Sequence, residues 1–132
     1  MEITVTHELN RVPVTVLHVA GKTDSASAQT LQEKAMEIID GGARHLIFDL
    51  SKVPYMSSAG LRVLQEVFNK LRSLSPEKSD RDTYRQIADG SYQFPYLKIV
   101  NPTQEVMEVL KMSGFDMLVS VEKDLKKALA SI

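Results

Sequence analysis

The chain has 132 residues, the size of one domain able to bury about two-thirds of its unfolded surface, and its 43% hydrophobic content excludes a disordered chain. With 16 basic and 17 acidic residues the net charge is −1, which gives no electrostatic footprint for nucleic acid or an anionic membrane. The lack of cysteine excludes disulfides, thiolate catalysis and cysteine-ligated zinc.

The start, Met1 to Val5, has neither a basic n-region nor an apolar h-region. No apolar run approaches the roughly 20 residues that span a bilayer, so a soluble cytoplasmic protein without a membrane partner is expected. Residues Ile3 to His7 and Val12 to Ala20 alternate apolar with polar and are rich in Val, Ile and Thr, which predicts two strands joined around Asn10 to Pro13. Gly21 to Asp24 breaks that pattern. Ala28, Leu31, Ala35 and Ile38 then mark a helix, capped by Asp24 or Ser25 and ended by Gly41 and Gly42. Leu46, Ile47, Phe48 and Leu50 form the apolar run of a strand covered on both faces, within a predicted strand from Arg44 to Leu50.

A helix from Ser58 to about Ser73 follows, with Leu61, Leu64, Val67, Phe68 and Leu71 on its apolar face. From Ser75 to Pro95 charges of both signs, two prolines and a Gly-Ser pair replace the periodicity, apart from a weak amphipathic turn at Tyr84, Ile87 and Ala88. That stretch is expected to be a solvated polar insertion. Tyr96 to Val100 returns as a strand. Asn101 is then suited to cap a helix, with Pro102 in its first position and Gln104 reaching back as in a capping box. Val106, Val109 and Leu110 give that helix its apolar face, Gly114 ends it, and Leu110 with Phe115 have the spacing of a Schellman contact. Leu118 to Val121 reads as a short strand, and Leu125, Ala128, Leu129 and Ile132 as a last helix. The order ββαβαβαβα predicts an α/β domain over residues 1–132, with a mixed, mostly parallel sheet of about five strands and about four helices, interrupted only at about 75–95.

Chemistry concentrates where the strand ending near Leu50 passes into the helix that opens at Ser57 and Ser58. The first turn of a helix has unpaired N–H groups and a positive dipole end, so a serine there reads first as the helix cap, the alternative being that the other serine is presented for modification. A hydrolase elbow requires Gly-x-Ser-x-Gly, but Met56 stands two before Ser58 and Tyr55 two before Ser57. The histidines, His7, His18 and His45, all precede the serines and read as core or surface residues. Neither metal-ligand spacing nor a glycine-rich phosphate cradle is present, so neither an enzyme nor a cofactor is expected.

The run Asp49 to Leu64, with Gly21 to Asp24 and Asn101 to Gly114, resembles STAS domains, specifically bacterial anti-sigma factor antagonists. The family's Asp-Ser-Ser/Thr-Gly-Leu aligns with Ser57-Ser58-Ala59-Gly60-Leu61, which implies a phosphorylated serine at Ser58, with Ser57 in the acid's place and Ala59 in that of the second hydroxyl. The family's Gly-Glu-Leu/Ile-Asp aligns with Gly21-Lys22-Thr23-Asp24, implying an acidic neighbour at Asp24 and a lysine, Lys22, where an acid is usual. The resemblance implies a partner switch. The unmodified protein would bind an anti-sigma factor that is also a serine kinase, freeing a sigma factor; phosphorylation would end that binding and a PP2C-type phosphatase would restore it. The alternative is a STAS scaffold or ligand-sensing module without a phosphoserine cycle. Oligomeric state is left open by the sequence.

Overall fold

The computed structural model describes residues 1–75 and 94–132. The first two strands, β1 (Glu2–Asn10) and β2 (Val12–Ala20), form an antiparallel hairpin in unbroken register from Glu2 opposite Ala20 to Asn10 opposite Val12. Its turn is tighter than the expected Asn10 to Pro13 connection: Arg11 alone reverses the chain, in a left-handed conformation at φ 57°. β1 therefore extends beyond the predicted Ile3 to His7.

Helix α1 (Ser25–Asp40) leads to β3 (Leu46–Lys52), α2 (Ser58–Leu74), β4 (Phe94–Val100) and α3 (Gln104–Ser113). A single 3-10 turn (Phe115–Met117), β5 (Val119–Glu122) and a short α4 (Leu125–Ala130) complete the described chain. The sheet runs β1-β2-β3-β4-β5, with every pairing after the hairpin parallel. The predicted element order and fold class are borne out. Phe94 and Pro95, assigned to the insertion by composition, belong to β4, while the rest of that stretch from 76 to 93, including the turn at Tyr84, Ile87 and Ala88, lies outside the described residues.

Alternation along the strands divides the core. Leu17, Val19, Phe48, Leu50, Leu97 and Ile99 point to the face covered by α1, α2 and α3, where Leu31, Leu64, Phe68 and Leu110 meet them. Phe68 of α2 sits edge-on to Phe94 of β4, with ring centroids 4.7 Å apart, in the arrangement that aromatic quadrupoles favour. Val14, Val16, Ile47 and Val100 point the other way, under Ala128 of α4. The apolar run of β3 is thus covered on both faces, as its composition predicts.

One expected cap moves. Asn101 does not begin α3, because it takes a left-handed φ of 52° and its N–H bonds to the Glu122 carbonyl at 2.8 Å. Thr103 is the cap instead; its Oγ1 accepts from the Val106 N–H at 3.4 Å and donates to the Val53 carbonyl at 2.9 Å. At the other end Gly114 adopts φ 77°, the left-handed stop expected there, with Leu110 and Phe115 both buried in the main core.

Beyond α4 the second face is polar. A groove of about 360 Å³ is lined there by Glu2, Thr4, Thr6, His18, Asp49, Ser51 and Lys52 among others. His18 bridges it, with Nδ1 2.8 Å from Asp49 Oδ2 and Nε2 3.0 Å from Thr6 Oγ1. Burial pushes the Asp49 carboxyl up, but hydrogen bonds from the Ser51 N–H and from His18 outweigh it and hold the group below the ordinary carboxylate value. A carboxyl depressed in the fold stabilises above its unfolded pKa and loses that contribution as pH falls through the folded value. Thermal stability is therefore expected to hold down to about pH 5 and to fall below about pH 4. Asp49→Asn should flatten that acid limb in a melting series, and an unchanged limb would show that Asp49 does not contribute.

Candidate functional site

β2 and β3 are parallel neighbours, so the loops that leave them emerge at the same end of the sheet, where open α/β sheets present their sites. The first loop, Gly21 to Asp24, enters α1; the second, Val53 to Ser57, enters α2. They are bonded to each other. The Gly21 N–H donates to the Lys52 carbonyl at 2.9 Å, the Thr23 N–H to the Tyr55 carbonyl at 3.0 Å, and the Ser57 N–H to the Thr23 carbonyl at 2.9 Å. The Thr23 hydroxyl adds a bond to the Tyr55 carbonyl at 3.2 Å. Thr23 and Met56 thereby form a one-residue extension of the parallel sheet, and both are buried.

Gly60 follows from this clamp. Thr23 is wholly buried against the first turn of α2, and a Cβ on Gly60 would lie 2.7 Å from Thr23 Oγ1, 2.9 Å from Thr23 Cβ and 3.0 Å from Met56 Cγ. The Thr23 Cβ is fixed by the backbone and cannot swing aside. Ala59 and Leu61, on either side of Gly60, are half-buried and pack against the main core.

The serines divide their work. Ser57 is the N-cap of α2: it is half-buried, and its Oγ accepts from the Gly60 N–H at 3.3 Å. Ser58 is the first helical residue, exposed, and its hydroxyl makes no hydrogen bond among the described residues. It therefore projects beside N–H groups that the helix leaves unpaired, where the dipole favours negative charge.

On the facing loop Asp24 is the N-cap of α1. Its carboxylate accepts from the Ser27 N–H at 3.0 Å, while its own N–H donates to Ser27 Oγ at 2.9 Å in a capping box. The bond from the Ser27 N–H, then that from the Ser27 hydroxyl, hold the Asp24 carboxyl below its usual value. Asp24 is thus ionised at neutral pH and engaged in holding α1. Lys22 is exposed; its carbonyl accepts from Ser27 Oγ at 3.1 Å, and its ammonium has no ion pair among the described residues.

Thus the two stretches singled out in the sequence lie together, with Asp24 and Ser57 each bonded next to the Thr23 connection. Sequence reasoning gave no role to Thr23, Met56 or Thr103. Thr103 ties the start of α3 to the same Val53 to Ser57 loop through the Val53 carbonyl. A signal for Thr23 was present in Gly60 itself, since a glycine inside the first turn of a helix costs stability unless something approaches closely.

The sequence pattern of the STAS domain matches residues 4–76, more than half of the chain, including both loops and the whole of α2. The chain belongs to the STAS domain family. It is 39% identical over 57 residues to BtrV of Bordetella bronchiseptica, which carries the name of an anti-sigma factor antagonist, a match covering 43% of the chain. The chain spans about half the length of that relative, 49%. In fold it is similar to a crystal structure from Thermotoga maritima assigned as an anti-sigma factor antagonist, with a TM-score of 0.76, 15% identity and coverage of 98% of this chain and 93% of that one. The Bacillus cell fate determinant SpoIIAA in its phosphorylated form gives a TM-score of 0.65 at 13% identity, covering 98% and 97% of the two chains.

Gly60→Ala separates the clamp from intrinsic helix preference. In an open helix the change gains up to about 1 kcal/mol, whereas overpacking against fixed atoms costs about 1–3 kcal/mol. The melting temperature should fall by several degrees; a rise would mean that Thr23 does not press on the helix.

Proposed function

We propose that the chain is an anti-sigma factor antagonist whose unphosphorylated form binds an anti-sigma factor that is also a serine kinase, so freeing a sigma factor. Phosphorylation of Ser58 switches it off and a PP2C-type phosphatase switches it on again. The observation that carries this reading is Ser58 itself, an exposed hydroxyl with no hydrogen bond among the described residues, at the start of a helix whose capping is done by its neighbour Ser57. The names of BtrV and of the Thermotoga maritima fold neighbour support the regulatory class.

The chemistry of the chain here is that of an acceptor and a surface, not of a catalyst. The Ser58 Oγ would receive the phosphoryl group from the kinase, and the chain supplies only the position. A phosphate brings about −1.5 to −2 charges. The first-turn N–H groups of α2 favour that charge, so the modified loop is retained. At a packed interface the same charge is desolvated beside Asp24, and a loss of about 3 kcal/mol lowers affinity more than 100-fold. Lys22 stands exposed on the Asp24 loop, and the first turn of α2 continues from Ser58 through half-buried Ala59 and Leu61, with Gly60 buried between them.

A STAS module without a phosphoserine cycle is the second reading, favoured by Ser57 and Ala59 standing where the family motif has an acid and a second hydroxyl. Incubation with the cognate kinase and ATP, read by intact mass and peptide mapping, distinguishes them: one phosphate on Ser58 is expected. None, while the kinase modifies another known substrate, would remove the switch. Ser58→Ala should bind the kinase as the natural chain does, and Ser58→Asp should bind at least tenfold more weakly; equal affinities would contradict the proposal.

A further inference from the structure

Among the described residues Tyr55 is the only Phe or Tyr side chain left exposed, 55% accessible in the loop that leads from β3 to Ser58. Its ring packs on no other ring, and its hydroxyl makes no hydrogen bond among the described residues. The backbone beneath it is fixed. The Tyr55 carbonyl accepts from both the N–H and the hydroxyl of Thr23, and the next residue, Met56, is buried in its bridge to Thr23. Of the other large apolar side chains left exposed, Leu9, Leu74, Met112 and Met117 stand at the opposite end of the sheet, and only Met1 shares the end that carries Ser58. A tyrosine on a fixed backbone has only two χ angles to order when a partner covers it, so little of its apolar area is offset by entropy.

We propose that Tyr55 is the anchor by which the unphosphorylated chain holds its anti-sigma factor, the ring entering an apolar pocket of the partner while Ser58 lies beneath the same surface. This rests on the partner switch proposed above. That switch works only if the partner covers Ser58, and three residues of chain set Tyr55 at most about 11 Å from it between Cα atoms. A standard interface buries about 800 Å² on each side, a patch about 16 Å in radius, so a partner centred on Ser58 reaches Tyr55 as well. Affinity and control then lie on different residues. Tyr55 supplies the buried apolar area, whereas Ser58 matters once it carries a phosphate, whose charge and hydration are forced under the surface that Tyr55 holds close.

Titration of the unphosphorylated full chain with its purified cognate kinase, run beside melting curves, tests this. Tyr55→Ala should weaken binding about 30-fold or more, the level of an aromatic hot spot, with the melting temperature unchanged because the side chain holds nothing in the fold. Tyr55→Phe keeps the ring and should bind within about fivefold of the natural chain. Tyr55→Ala binding as tightly as the natural chain, while Ser58→Asp still binds weakly, would overturn the anchor and leave the switch standing. Tyr55→Phe as weak as Tyr55→Ala would also overturn it, since the ring would not be what binds, and so would a loss of affinity in Tyr55→Ala that comes with a lower melting temperature. No binding by the natural chain, or affinity unchanged in both Tyr55→Ala and Ser58→Asp, would remove the anchor and the switch together.

Discussion

The contact between Thr23 and Gly60 sets the geometry of the switch end. Thr23 uses its N–H, carbonyl and hydroxyl on the facing loop and is wholly buried, while its Cβ leaves no space for one on residue 60. Two loops that are more than 30 residues apart in the chain are thereby fixed as one unit. The starts of α1 and α2 are brought side by side, and Thr103 adds the start of α3 through the Val53 carbonyl. Three helix N-termini gathered at one end of the sheet make that end receptive to negative charge.

The same clamp separates holding the fold from presenting the hydroxyl. Ser57 caps, Thr23 braces and Asp24 closes α1 with Ser27, so the loops beside Ser58 are held without its hydroxyl taking part. A group that contributes no bond to the fold can be modified at little structural cost. In the proposed switch, the effect of a phosphate is therefore spent on the partner surface, where desolvation and like charge act, and not on the domain itself.

Much of the architecture was legible because periodicity and burial agree. The run from Leu46 to Leu50 is apolar on both sides because helices cover both, and α2 buries Leu64, Val67, Phe68 and Leu71 of the face its 3.6-residue repeat marks, with Leu61 half-buried. Capping was less legible where a distant group decides it. Asn101 and Pro102 carry a good local start signal, yet the bond from the Asn101 N–H to Glu122 and that from Thr103 to Val53 shift the helix start by tertiary means. Composition also misplaced Phe94 and Pro95, since a proline at position 95 marks a strand only once its neighbours are known. At the site, two serines at a helix start were evident, but two identical side chains do not reveal which one caps. Gly60 in the first turn of α2 was the readable hint of a close approach, and only the fold supplies Thr23 as what approaches.

Amide hydrogen exchange at Thr23 and Ser57, compared between unmodified and Ser58-phosphorylated protein alongside partner affinity, tests this separation most directly. Both N–H groups close the clamp, so their protection reports it residue by residue. Protection should be unchanged while partner affinity falls at least 100-fold, equivalent to about 3 kcal/mol. Loss of protection at Thr23 and Ser57 on phosphorylation would contradict it, since the switch would then act by opening the loops and not by altering the surface they hold in place.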